Sequence, residues 1–171
     1  MDPVIILLRI MHIFGGVLWV GGAIFFFFFV EPSVKATAPS SQSFMQYLMV
    51  RKHFSLFMTI VSLATIGAGA AMYWRDSAGL QPVWIMTHTG LGFTLGAAVG
   101  IATALMGLFF IKPHVDKLDE IGEQIQTSGG TPTPKQLNEM AWHDRALNRL
   151  GRLDFVMLTI ALLAMATARY W

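Results

Sequence analysis

The stretch Val4-Ile5-Ile6-Leu7-Leu8-Arg9-Ile10-Met11-His12-Ile13-Phe14-Gly15-Gly16-Val17-Leu18-Trp19-Val20-Gly21-Gly22-Ala23-Ile24 runs on through Phe25 to Phe29 and Val30, with Arg9 its one charged residue. An α-helix rises about 1.5 Å per residue, so about 20 apolar residues cross a hydrocarbon core of about 30 Å. Residues 4–30 exceed that length. Three further runs of the same kind follow at 54–74, 83–111 and 153–171, and runs this long and apolar mark membrane-spanning helices. Together the four occupy more than half of the chain. The expected fold is therefore an all-α, integral membrane bundle of four transmembrane helices, a single membrane domain over residues 1–171.

Composition agrees. Only 13% of the 171 residues are charged, and the mean hydropathy is +0.56, well away from an average soluble domain. A net charge of +2 averages over loops on opposite sides of a membrane and decides nothing alone; nothing in it calls for nucleic acid. The chain has no cysteine, which excludes disulfides, thiolate metal sites and iron–sulfur clusters. No basic cluster precedes the first apolar run, and that run exceeds the core of a cleavable signal, so the first helix is expected to persist.

Charge orients the bundle. Lys35, Arg51, Lys52, Lys112, Lys117, Lys135, Arg145, Arg149 and Arg152 follow the first and third runs, whereas Arg9, Arg75 and Arg169 lie on the other side. The positive-inside rule then places both termini outside and the two longer connections in the cytoplasm. Tyr73, Trp74, Trp84, Tyr170 and Trp171 fall at the outer ends, where amphipathic aromatic rings prefer to sit. Pro32 is expected to end or kink the first helix, after which comes a polar stretch, Ala38-Pro39-Ser40-Ser41; Ser43 to His53 can form a short helix. Gly79 and Pro82 mark a short outer turn. Residues 112–152 read as a cytoplasmic amphipathic connector, with surface helices over 115–126 and 134–150 separated by Ser128-Gly129-Gly130-Thr131-Pro132.

Two histidines fall inside the apolar runs. A buried imidazole is costly without a partner, so an ionisable residue at such a place is a functional candidate. His12 lies roughly 12 Å into the first run and His88 roughly 8 Å into the third, both measured from the outer face. Two facing imidazoles at one level supply both axial ligands of a haem. His88, Gly92, Gly96 and Gly100 recur at four-residue spacing, and Gly15, Gly16 and Trp19 follow His12 on its face. Glycines either line a planar macrocycle or let helices pack closely. Arg9, one turn above His12, either meets a haem propionate or snorkels to the interface. Met11, Met72 and Met86 lie towards the outer side, and thioethers with imidazoles suit Cu(I). Met11 diverges from His12 by about 100°, however, and Met86 from His88 by about 160°, which favours haem over copper. His53, His114 and His143 fall near the opposite boundary, where a solvated role is the ordinary expectation and a second metal site the alternative. Phe25 to Phe29 are assigned to packing.

The segment Leu8-Arg9-Ile10-Met11-His12-Ile13-Phe14-Gly15-Gly16-Val17-Leu18-Trp19-Val20-Gly21-Gly22 resembles the first helix of small bacterial membrane proteins related to the CopD copper-resistance domain, and of uncharacterised integral membrane families near it. Arg51-Lys52-His53-Phe54-Ser55 resembles the basic start of their second helix, and Met165 to Trp171 looks like the terminus of some members. A more distant likeness is to HemJ, the membrane protoporphyrinogen oxidase. The resemblance covers all four helices in layout but is specific only in the first. It implies a four-helix protein of the bacterial cytoplasmic membrane with haem b or copper as ligand and His12 on the family's first-helix histidine. His88 rests on depth and spacing alone. An intramembrane lysine in the third helix, a feature of several relatives, is missing here, which weakens transfer of a catalytic mechanism.

The resulting expectation is a haem b electron-transfer protein. His12 and His88 would ligate iron, Arg9 would meet a propionate, and Gly16, Trp19, Gly92 and Gly96 would line the ring. A quinone or redox protein would be the partner in the bilayer. The alternatives are copper transport or delivery, a porphyrinogen oxidase, and a non-catalytic subunit of a membrane complex; a homodimer through a glycine face is also open.

Overall fold

The computed structural model describes residues 2–38 and 40–171, apart from the side chain of Gln42; Pro39, in the expected first loop, lies outside them. No strand occurs among the described residues. Four long helices carry the architecture: α1, Pro3–Ala36; α2, Phe54–Asp76; α3, His88–Thr127; and α4, Pro134–Tyr170. Each is long and apolar enough to cross a membrane. Within the most apolar part of each, only 11–22% of residues are buried, so most of this surface requires a hydrocarbon solvent. Ile6, Ile10, Ile13, Phe14 and Val17, for example, all point outward from α1. The chain is an integral membrane protein with a four-helix bundle.

Local sequence sets the helix limits. Asp2 caps α1 by accepting from the Val4 N–H at 2.9 Å, with Pro3 in the first helical position, where its missing N–H costs nothing. Asp2 also pairs with Arg75 at the end of α2. That guanidinium, with the Val4 N–H, holds the Asp2 carboxyl below its usual value. At the start of α4, Thr133 accepts from the Gln136 N–H at 3.3 Å while the Gln136 side chain accepts from the Thr133 N–H at 2.9 Å, a capping box before Pro134.

Neither internal proline ends its helix. Pro32 and Pro113 each sit just past a π-helical turn, Phe26–Val30 and Gly107–Ile111 respectively. A proline lacks an N–H and crowds the carbonyl four residues back, and the wider π turn absorbs that conflict. The helix therefore continues. As a result the expected connector is not separate from the spans. The third span begins at His88 rather than residue 83, after a short helix Pro82–Ile85, and runs unbroken to Thr127. At roughly 60 Å, α3 is about twice the thickness of the hydrocarbon core. Its far half and the first half of α4 form a hairpin beyond the bilayer, turned at Gly129 and Gly130 with φ of +99° and +80°.

The helices run up and down in sequence, so both termini share one end and the hairpin stands at the other. α1 packs along α2 and α3 along α4, and the two pairs join through α2 against α3. Trp19, Val61 and Leu158 form the central cluster, with Leu18, Val20, Ala23, Met58, Ile66 and Ala104 around it. Phe27 stacks on Phe155 near the hairpin end. Tyr73, Trp84 and Trp171 gather at the terminal end, where Tyr73 meets Trp84 edge to face.

Candidate functional site

Gly15 is what lets α1 approach α2: a Cβ there would lie 2.4 Å from the Thr65 Oγ1. The close approach brings His12 onto α2. Its Nδ1 lies 2.8 Å from the Thr65 carbonyl oxygen, and its ring covers Gly69, where a Cβ would lie 2.8 Å from both Nδ1 and Cε1. A carbonyl only accepts, so Nδ1–H donates and Nε2 keeps its lone pair. The imidazole is thus half-buried, fixed in orientation and fixed in tautomer.

The expected partner is elsewhere. His88 is the exposed first residue of α3, directly after the Thr87 cap, whose side chain accepts from the Gly90 N–H at 3.0 Å. Tyr73 sets the register between α2 and α3 by donating to the Thr94 Oγ1 at 2.6 Å, since Thr94 uses its own proton on the Gly90 carbonyl. Counting along both helices from that bond places His88 roughly 15 Å nearer the terminal end than His12. Two axial ligands need nitrogens about 4 Å apart, each about 2 Å from the metal. The bis-histidine pair is therefore not formed. The depth argument failed because α3 starts five residues later than the apolar run does.

The glycines of α3 have another use. A Cβ on Gly92 would lie 2.8 Å from the Ala168 Cβ, and one on Gly96 would lie 2.5 Å from the Met165 Cγ and 3.2 Å from the Ala161 carbonyl. Both serve the close approach of α4, which fills the place expected for a macrocycle beside them. Gly16 makes only an ordinary contact with Thr65, at 3.9 Å from where its Cβ would be. Trp19 belongs to the central cluster, and Arg9 is exposed one turn above His12.

Two features stand apart from His12, one not singled out in the sequence and one expected there mainly to be solvated. Asp154 is the one carboxylate within residues 153–171, and it shares a helical stripe with Leu158 and Ala161 of the core. An acidic residue within an apolar run is the signal that pointed to it. The other is a histidine pair in the hairpin: His114 Nδ1 lies 2.7 Å from His143 Nδ1, with Trp142 beside both rings. Spacing of 29 residues gives no local sign of it. His53, by contrast, is exposed at the start of α2 in a left-handed conformation, φ 50°. Among the described residues, no three His, Asp or Glu side chains are placed to hold a metal ion together.

No family model matches the chain, and neither the curated proteins nor the solved structures compared with it give a match.

Proposed function

We propose that this chain is a redox protein of the bacterial cytoplasmic membrane that holds haem b through His12 and passes electrons to a quinone or a redox partner. One observation carries the reading: the Thr65 carbonyl accepts a hydrogen bond from His12 Nδ1–H and leaves the Nε2 lone pair oriented for a metal. Histidines that ligate metals characteristically give their other ring N–H to a carbonyl or carboxylate in this way. Haem b, when bound, supplies one-electron chemistry between ferric and ferrous iron. The chain's own part is to hold and aim the imidazole. Thr65 fixes the tautomer, Gly69 leaves space for the ring, and Arg9 offers a cation to a propionate one turn nearer the terminal end. His88, Gly92 and Gly96 take no part in holding it.

The test is an absorption spectrum of detergent-purified protein, oxidised and dithionite-reduced, after expression with ample haem, with iron and copper analysis alongside. Stoichiometric iron and a sharp reduced α band are expected in the wild type and in His88→Ala. Both should be lost in His12→Ala. Equal haem in His12→Ala overturns the ligand assignment. Copper without iron that is lost in His12→Ala replaces haem by copper handling at His12, and neither metal there reduces His12 to a clamp between α1 and α2.

A further inference from the structure

The His114–His143 pair meets head on, as a straight N–H···N hydrogen bond favours, and the same arrangement sets two nitrogen donors in line. Bonds of about 1.33 Å place each nitrogen about 1.1 Å from the centre of a five-membered ring. The two Nδ1 atoms are 2.7 Å apart and the ring centroids 5.0 Å apart. The separations match end to end, so both nitrogens lie close to the line joining the rings. Their lone-pair directions therefore oppose each other across one point. Trp142 lies beside that point: its ring centroid is 5.2 Å from the His114 ring and 4.7 Å from the His143 ring. The triangle these distances define puts the midpoint of the pair about 4.3 Å from the Trp142 centroid, inside the ~6 Å reach of a cation–π contact.

We propose that His114 and His143 bind a soft monovalent metal ion, cuprous copper, in line between their Nδ1 atoms, with the Trp142 ring beside it. The donor set selects the ion. Two neutral nitrogens satisfy a d¹⁰ monovalent cation in linear coordination, whereas structural Zn²⁺ takes four ligands, and no third His, Asp or Glu joins the pair among the described residues. Metal–nitrogen bonds of about 2 Å require the nitrogens to part by roughly 1.3 Å. The two rings stand on separate arms of the hairpin, turned at Gly129 and Gly130, so a small splay of the arms provides the opening. Protons balance without net release. In the metal-free pair one Nδ1 carries the shared proton; on binding, that proton moves through solvent to the Nε2 of the same ring, leaving both Nδ1 lone pairs for the metal. No electron is transferred. The site shares no residue with His12 and stands apart from the haem reading.

The experiment uses the full chain in detergent and Ag(I) as a redox-inert probe, followed by Cu(I) under anaerobic conditions. Bound metal is counted after desalting, and tryptophan emission is followed during titration. The eleven methionines also take soft ions, so the decisive quantity is a difference. The wild type should retain one equivalent more than the His114→Ala/His143→Ala variant, and His53→Ala should behave as wild type. Each single variant should weaken that equivalent at least tenfold and abolish the quenching of Trp142 emission, which Trp142→Phe identifies. X-ray absorption of the Cu(I) form should report two nitrogen neighbours at one distance. Equal Ag(I) retention by wild type and double variant overturns the proposal, as does a pair that takes Zn(II) in preference to Ag(I). Should the buried His143 prove needed for folding, His114→Ala, at a half-buried position, carries the comparison alone.

Discussion

At the scale of single residues, His12 is held from two sides: the Thr65 carbonyl fixes its nitrogen and the bare face of Gly69 admits its ring. Gly69→Ala adds a methyl 2.8 Å from two ring atoms that the hydrogen bond keeps from retreating. Overpacking of this kind costs about 1–3 kcal/mol. A lower thermal midpoint in detergent, together with loss of whatever His12 holds, is the expected outcome. Gly67→Ala on the same helix, with nothing within 4 Å of the added carbon, serves as the control and should keep whatever His12 holds, with the midpoint unchanged or raised. His12 was legible as a candidate because an imidazole in an apolar run stands out. Its partner was not, since a backbone carbonyl leaves no mark in the sequence.

At the scale of elements, the α3–α4 contact depends on small residues where two backbones meet. At Gly92 the added carbon of an alanine would sit 2.9 Å from the Ala168 Cα as well as 2.8 Å from its Cβ. Backbone cannot step aside as a flexible side chain can. Gly92→Ala should therefore destabilise the bundle by about 1–3 kcal/mol, while Gly100→Ala, facing open space, should be neutral or stabilising by up to about 1 kcal/mol. Parallel denaturation of the two variants checks this; equal losses would show that the stripe packs otherwise. The four-residue glycine spacing fitted a ligand wall or a helix seam equally, and only the position of Ala168 and Met165 separated the two. Pro32 and Pro113 make a related point. A proline signals a disturbance in the helix, but whether the chain breaks or widens by a π turn depends on what the continuing helix packs against, here the α4 arm of the hairpin in the case of Pro113.

At the scale of the whole molecule, the charge asymmetry sets an orientation that a labelling experiment reads directly. The natural chain has no cysteine, so single cysteines introduced at Ala78, in the short loop at the terminal end, and at Ser128, at the tip of the hairpin, report without interference. In intact cells a membrane-impermeant maleimide should label Ala78→Cys and leave Ser128→Cys untouched until the cells are opened. The reverse pattern would invert the bundle and overturn the reading of nine cations against three. The sequence by itself determined that four helices cross the membrane, which ends cluster aromatic rings, and where the hairpin turns. Those features follow from apolar length, interfacial preference and glycine geometry, all of which act locally along the chain. Only the tertiary structure decided that His12 belongs to Thr65 and Gly69 rather than to His88, that Gly92 and Gly96 belong to α4, and that His114 meets His143. These depend on the rotation and register of one helix against another. A shift of a few residues at a helix start, 83 against 88, moves a side chain by more than the span of any coordination sphere, and apolar residues on every face give the sequence no means of fixing it.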